Sequence, residues 1–75
     1  MYQIMEKVFI IAFDIPSNEL SFKKKIHQLL KKSGSKMIQR SLWECKDLNS
    51  LIKIATLIKY VGGKAYVFEA MPLFS

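Results

Sequence analysis

Lys7-Val8-Phe9-Ile10-Ile11-Ala12-Phe13-Asp14-Ile15-Pro16 is the most constrained stretch of the chain. Apolar residues run unbroken from Val8 to Phe13, with a charge before them and a proline just beyond. An alternating pattern would give one wet face; a continuous run predicts a strand covered on both faces and central in its sheet. The run is far short of the roughly 20 apolar residues that cross a membrane, so no membrane association is expected. Pro16 has no N–H to give a ladder, so the strand must end before it. Asp14 therefore stands at the carboxyl end of a buried strand, the edge where open α/β sheets place their chemistry.

The surrounding composition bounds what such a strand can belong to. Seventy-five residues make one small domain, 1–75. A chain of this size buries only about 60% of its unfolded surface, so its core is marginal alone. It has one cysteine, Cys45, and one histidine, His27, which excludes an intrachain disulfide and argues against a structural zinc site from one chain. Yet 51% of the residues are hydrophobic. So apolar a small chain is expected to bury part of its surface against a second copy, as a homodimer. The start of the chain, Met1 to Lys7, lacks the features of a signal peptide. Together with the lone thiol, this gives a cytoplasmic expectation. The formal net charge is +6, with 12 basic against 6 acidic residues. That excess points to DNA or RNA as partner, or more plainly to a lysine-rich solvated surface.

Beyond Pro16, Ser17-Asn18-Glu19 supplies helix-capping residues and an acid for the first turn, and a helix is expected to about Lys32. Phe22, Ile26, Leu29, Leu30 and Ser33 recur at helical spacing, with Lys23, Lys24, Lys25, Lys31 and Lys32 on the other side. Gly34 suits a left-handed stop. Lys36 to Cys45 reads as strand with a mixed alternation; a bend or bulge near Gln39-Arg40-Ser41 would explain it. One bent strand and two short strands both fit. Asp47 is a cap for a second helix from Leu48 to about Val61, whose apolar face is wide enough for two surfaces. Gly62-Gly63 ends it, Lys64 to Met71 forms the last strand, and Pro72 closes that strand. The order predicts an α+β, ferredoxin-like βαββαβ sandwich with two helices on one face of a mostly antiparallel sheet.

Several residues are candidates for chemistry. Asp14 is either a turn residue at a strand end or half of a metal site. In a symmetric dimer two copies of Asp14 near the axis, with waters and phosphate oxygens, would suit Mg²⁺. Arg40 is placed to meet phosphates at the sheet edge. Ser41 is a nucleic-acid contact or a small residue at a bend. Trp43 is expected to fill core or dimer interface rather than to stack on a base. His27 reads as a partly exposed helix residue, since a general base there needs a pocket. Cys45 is expected to be buried and inert.

Two motifs resemble a known family. Phe9-Ile10-Ile11-Ala12-Phe13-Asp14-Ile15 is similar to the first strand of the small CRISPR-associated proteins that accompany the spacer integrase, in which tyrosine or phenylalanine precedes the aspartate. Ile38-Gln39-Arg40-Ser41-Leu42-Trp43-Glu44 resembles their second signature. The resemblance implies a ferredoxin-like homodimer, acting as a metal-dependent endonuclease or as a nucleic-acid-binding adaptor in spacer acquisition. A related toxin family of small endoribonucleases shares the fold. Asp14 matches the family's catalytic, metal-binding aspartate. Lys23, Lys24 and Lys25 stand where the family has arginines that hold nucleic acid; they keep the charge but lack the bidentate fork. Phe13 replaces the commoner tyrosine. The family's further strand, which docks on the partner subunit and on the integrase, would lie beyond Pro72, where this chain is short.

Overall fold

The computed structural model describes residues 7–70. The expected strand end at Pro72 and the tail after it lie outside them. Six elements follow in order: β1 (Val8–Asp14), α1 (Leu20–Lys32), β2 (Lys36–Gln39), β3 (Leu42–Cys45), α2 (Leu48–Tyr60) and β4 (Lys64–Ala70). The strands form one sheet in the order β2-β3-β1-β4, and every neighbouring pair is antiparallel. This is the ferredoxin-like α+β arrangement, with β1 at its centre and the helices on one face.

The register sorts the strands' side chains. Phe9 pairs with Cys45, Ile11 with Trp43 and Val67, and Phe13 with Ala65, so these residues share the helix-facing side. Ile26 and Leu30 of α1 and Leu51, Ile54, Ala55 and Ile58 of α2 close over them in one core. Fully burying one such aliphatic side chain is worth roughly 1.5–3 kcal/mol.

Both faces of β1 are covered at its centre, since Ile10 on the reverse face is 8% exposed, but the two covers differ. Among the described residues no helix or strand lies on the second face. There the register forms two rows across three strands, Leu42–Ala12–Tyr66 and Glu44–Ile10–Phe68. Tyr66 and Phe68 are 63% and 49% exposed. The unbroken apolar run of β1 thus reflects a helix-covered face and a reverse face where Ile10 is buried and Ala12 half-buried beside the open β4 side chains, a difference hydropathy alone does not separate.

Two boundaries also move. α1 begins at Leu20; Glu19 is the flanking residue, makes no side-chain cap and leaves no acid in the first turn. Instead the Glu19 N–H donates to the Pro16 carbonyl at 3.0 Å, so a backbone turn starts the helix. Residues 36–45 form a two-strand hairpin with its turn at Arg40-Ser41, and a bulge between Met37 and Gln39 produces the mixed alternation. The Trp43 indole Nε1 donates to the Arg40 carbonyl at 3.0 Å, and the Phe13 N–H donates to the Ser41 carbonyl at 3.0 Å. The turn is thereby pinned to the core and to the end of β1.

α2 starts as expected. The Asp47 carboxylate accepts from the Ser50 hydroxyl at 2.7 Å and from the Ser50 N–H at 3.4 Å. The Ser50 hydroxyl is the main reason the Asp47 carboxyl lies below its ordinary range. With the folded pKa lowered, the cap's contribution is present above the unfolded carboxyl range and fades as pH falls through the folded value. Gly34 and Gly62 take φ of +81° and +88° after the two helices. Gly63 is constrained differently: a Cβ there would lie 2.7 Å from both the Asp14 carbonyl oxygen and Ile58 Cγ2. Gly63→Ala is expected to cost about 1–3 kcal/mol by forcing β4 away from the end of β1. Urea denaturation checks this, and an unchanged midpoint would show that the close approach relaxes freely.

Candidate functional site

At the carboxyl end of β1, α1 and the β2–β3 hairpin diverge and leave a cleft of about 480 Å³. Three parts of the chain build it. Phe13 and Trp43, both buried, form the floor on the helix side of the sheet. Lys23, His27 and Lys31 come from α1 at i, i+4 and i+8, a spacing that keeps them on one side of a helix. Met37, Arg40 and Ser41 come from the hairpin, and Asp14 lies at the rim. α1 packs on α2, which leaves the space towards β2 open.

The charges converge without neutralising one another. Among the described residues, Lys23, Lys31, Arg40 and Asp14 take part in no ion pair. Three cations face a common volume, and Asp14, which alternates onto the reverse side of the strand from Phe13, borders it at the rim. Like charges held this close raise a positive potential, which low-dielectric walls focus outwards. His27 rests on the floor, its ring centroid 5.6 Å from that of Trp43 at an interplanar angle of 37° and 6.4 Å from that of Phe13, edge-on. Among the described residues its nitrogens have no hydrogen-bond partner, and no buried polar side-chain atom is left unsatisfied. The imidazole therefore keeps its polar edge in solvent while its carbons pack on the aromatic floor.

The structure divides the residues singled out in the sequence. Asp14, Lys23, Arg40 and Ser41 meet in the cleft. Lys24 and Lys25 do not: both point to solvent, and Lys25 borders a separate depression with Gln28, Lys31 and Lys32. Three consecutive helical residues cannot share one face, since each step turns about 100°. Lys23 is half-buried against the cleft rather than fully solvated. His27 and Lys31 belong to the site, and their i, i+4 spacing was the available signal. Cys45 is buried, with its Sγ accepting from the Asp47 N–H at 3.3 Å.

The fit of a divalent cation can be judged from the donors. Among the described residues no three His, Cys, Asp or Glu side chains group as ligands. Asp14 is the cleft's one carboxylate, among Lys23, Lys31 and Arg40. One carboxylate beside three cations does not fit Mg²⁺, which takes oxygen ligands and needs negative charge. The described residues of one chain therefore do not by themselves form a Mg²⁺ site. A wider depression of about 630 Å³ lies at the other end of β1, bordered by Val8. Its charged side chains balance, Lys36 and Lys46 against Glu44 and Asp47, and Asp47 is occupied in capping α2.

No family model and no curated protein matches the chain. The functional assignment therefore rests on the cleft. Among the described residues, no helix is long and apolar enough to cross a membrane.

Proposed function

We propose that the chain binds nucleic acid, taking the sugar–phosphate backbone into the cleft between α1 and the β2–β3 hairpin. The observation that carries this is the set Lys23, Lys31 and Arg40, which share one cleft and form no ion pair among the described residues. Unpaired cations held together are a ready site for phosphates, and each contact releases condensed counterions. Arg40 adds a planar fork that matches two phosphate oxygens. A spacer-acquisition role beside the CRISPR integrase, or a toxin-like endoribonuclease role, is a narrower form of the same proposal.

The proposed assembly is a homodimer through the sheet face opposite the helices, whose open side chains are Tyr66 and Phe68. Ile10, Ala12, Leu42, Tyr66 and Phe68 form a contiguous apolar patch, and the charges beside them balance, Asp14 with Lys64 and Glu44 with Lys36. A neutral, apolar patch can meet a copy of itself across a two-fold axis without charge repulsion. Sedimentation equilibrium at micromolar protein is expected to give twice the chain mass, and Phe68→Glu to give a folded monomer. A folded monomer in the unmodified protein would reject the dimer.

Mg²⁺ is proposed only for such a dimer, in which the two copies of Asp14, on the same strand face as Ile10 and Ala12, would meet at the interface and apart from the two clefts. Binding in the cleft has no such requirement. Affinity for labelled RNA or DNA, followed by fluorescence anisotropy, is expected to survive chelator and to fall steeply with salt. Asp14→Asn is expected to bind as tightly or more tightly, because it removes a charge that repels phosphate. No binding at low salt would reject the proposed function. Cleavage that needs Mg²⁺ and is lost in Asp14→Asn would establish the paired metal site, and no cleavage on any substrate would favour a binding role.

A further inference from the structure

The cleft offers more than positive charge. A surface that holds only the backbone of a duplex needs spaced cations and no depth. This cleft has depth, a volume of about 480 Å³ and a floor of aromatic rings. That volume falls within the range of roughly 300–1,000 Å³ typical of sites that enclose small ligands. Its cations also have a definite arrangement. Lys23 and Lys31 lie four residues before and after His27, so their Cα atoms are each about 6 Å along the helix axis from it. An internal nucleotide has the same pattern, one phosphate on either side of a base.

The middle of the cleft suits the base. His27 presents its ring from above the Trp43 and Phe13 floor, with nitrogens that have no hydrogen-bond partner among the described residues. Met37, 53% exposed and in register with Trp43, offers an adaptable apolar wall from the hairpin. Arg40 and Ser41 close the side nearest β1. Flat rings, a thioether and flanking cations are the chemistry of single-strand recognition, in which unstacked bases lie on aromatic or imidazole surfaces. A paired base is stacked inside its helix and cannot enter.

We propose that the cleft is a pocket for one unpaired nucleotide of a single-stranded nucleic acid, its base stacked on the His27 ring, which the buried Trp43 and Phe13 support from beneath, and bordered by Met37, its flanking phosphates on Lys23 and Lys31. This rests on the proposed nucleic-acid binding and adds a choice of substrate: single strands over duplex. RNA and DNA share the required base and phosphates, so both are tested.

The experiment uses the whole chain. Anisotropy compares a labelled single-stranded oligonucleotide, as RNA and as DNA, with its duplex and with an abasic strand of the same length. The single strand is expected to bind at least about fivefold more tightly than either control. Trp43 is the chain's one tryptophan and lies under His27, so its fluorescence is expected to change with a nucleoside monophosphate and not with inorganic phosphate alone. His27→Ala is expected to erase the preference for the single strand, and His27→Phe to keep it. Circular dichroism confirms that each variant is folded. Equal affinity for single-stranded, duplex and abasic ligands would overturn the nucleotide pocket and leave backbone binding standing. No affinity for any of them would overturn both.

Discussion

Lys23→Gln combined with Arg40→Gln is expected to weaken nucleic-acid binding by roughly 10- to 100-fold at moderate salt. The two side chains approach one cleft from different elements, α1 and the β2–β3 hairpin. A hydrogen bond to a charged group contributes about 1.5–3 kcal/mol, less where water competes, and each 1.4 kcal/mol is tenfold in affinity. The salt dependence should change with the affinity. Losing two phosphate contacts should flatten the logarithmic slope by about 1.4 on a single strand and about 1.8 on duplex DNA. The fold should persist, since Arg40 is exposed and glutamine retains part of the Lys23 stem that packs in the cleft. The paired control, Lys24→Gln with Lys25→Gln, removes the same charge from solvent-facing positions. It should cost far less affinity, because long-range attraction is screened within about 10 Å at 0.1 M salt. Equal losses in the two pairs would show that binding follows net charge and that the cleft has no special part in it.

The largest stability effect is expected at Trp43. Its side chain is 2% exposed, and its indole N–H holds the Arg40 carbonyl. Trp43→Ala should cost about 3–5 kcal/mol through lost burial and the cavity left behind. For a domain this small each kcal/mol lowers Tm by about 4–8 °C, so a fall of roughly 12–40 °C is expected in a thermal melt. Trp43→Phe separates packing from hydrogen bonding. It keeps an aromatic ring on the floor but loses the bond to Arg40, and should cost less than the alanine variant. Because the hairpin turn is then released, nucleic-acid affinity should fall in Trp43→Phe even while the domain stays folded. A loss below about 1 kcal/mol in Trp43→Ala would mean that the core closes over the gap unaided.

Much of the frame was legible in the sequence, and the reasons are local. The apolar run before Asp14 marked the central strand, Asp47 announced α2, and Gly34 its predecessor's end. These depend on contacts within a few residues. The open side chains of Tyr66 and Phe68 beside β1 were not legible, because a continuous apolar run in β1 does not show what covers its neighbouring strands. The hairpin was legible in part: the mixed alternation pointed to a bend or bulge near Gln39-Arg40-Ser41 and allowed two short strands, which the structure has, but did not choose them over one bent strand. In the site, the phase of α1 against the sheet decided everything. Lys23, Lys24 and Lys25 are equivalent as sequence, but only Lys23 lines the cleft with His27 and Lys31. His27 lacked a visible pocket because the pocket is made by a hairpin ten residues further on.

The division of the sheet into two sides has a consequence for how tightly an assembly could hold its ligand. The cleft opens on the helix-bearing side, and the apolar rows of Tyr66 and Phe68 lie on the reverse. Two chains joined back to back through those rows would carry their clefts on opposite outer surfaces. A strand long enough to pass round the sheet edge would then engage both, and the second contact would be intramolecular. Its strength would be set by the length of the tether between the two bound nucleotides rather than by ligand concentration. Below the spanning length the dimer would bind two short strands independently; above it, one strand would be held by avidity.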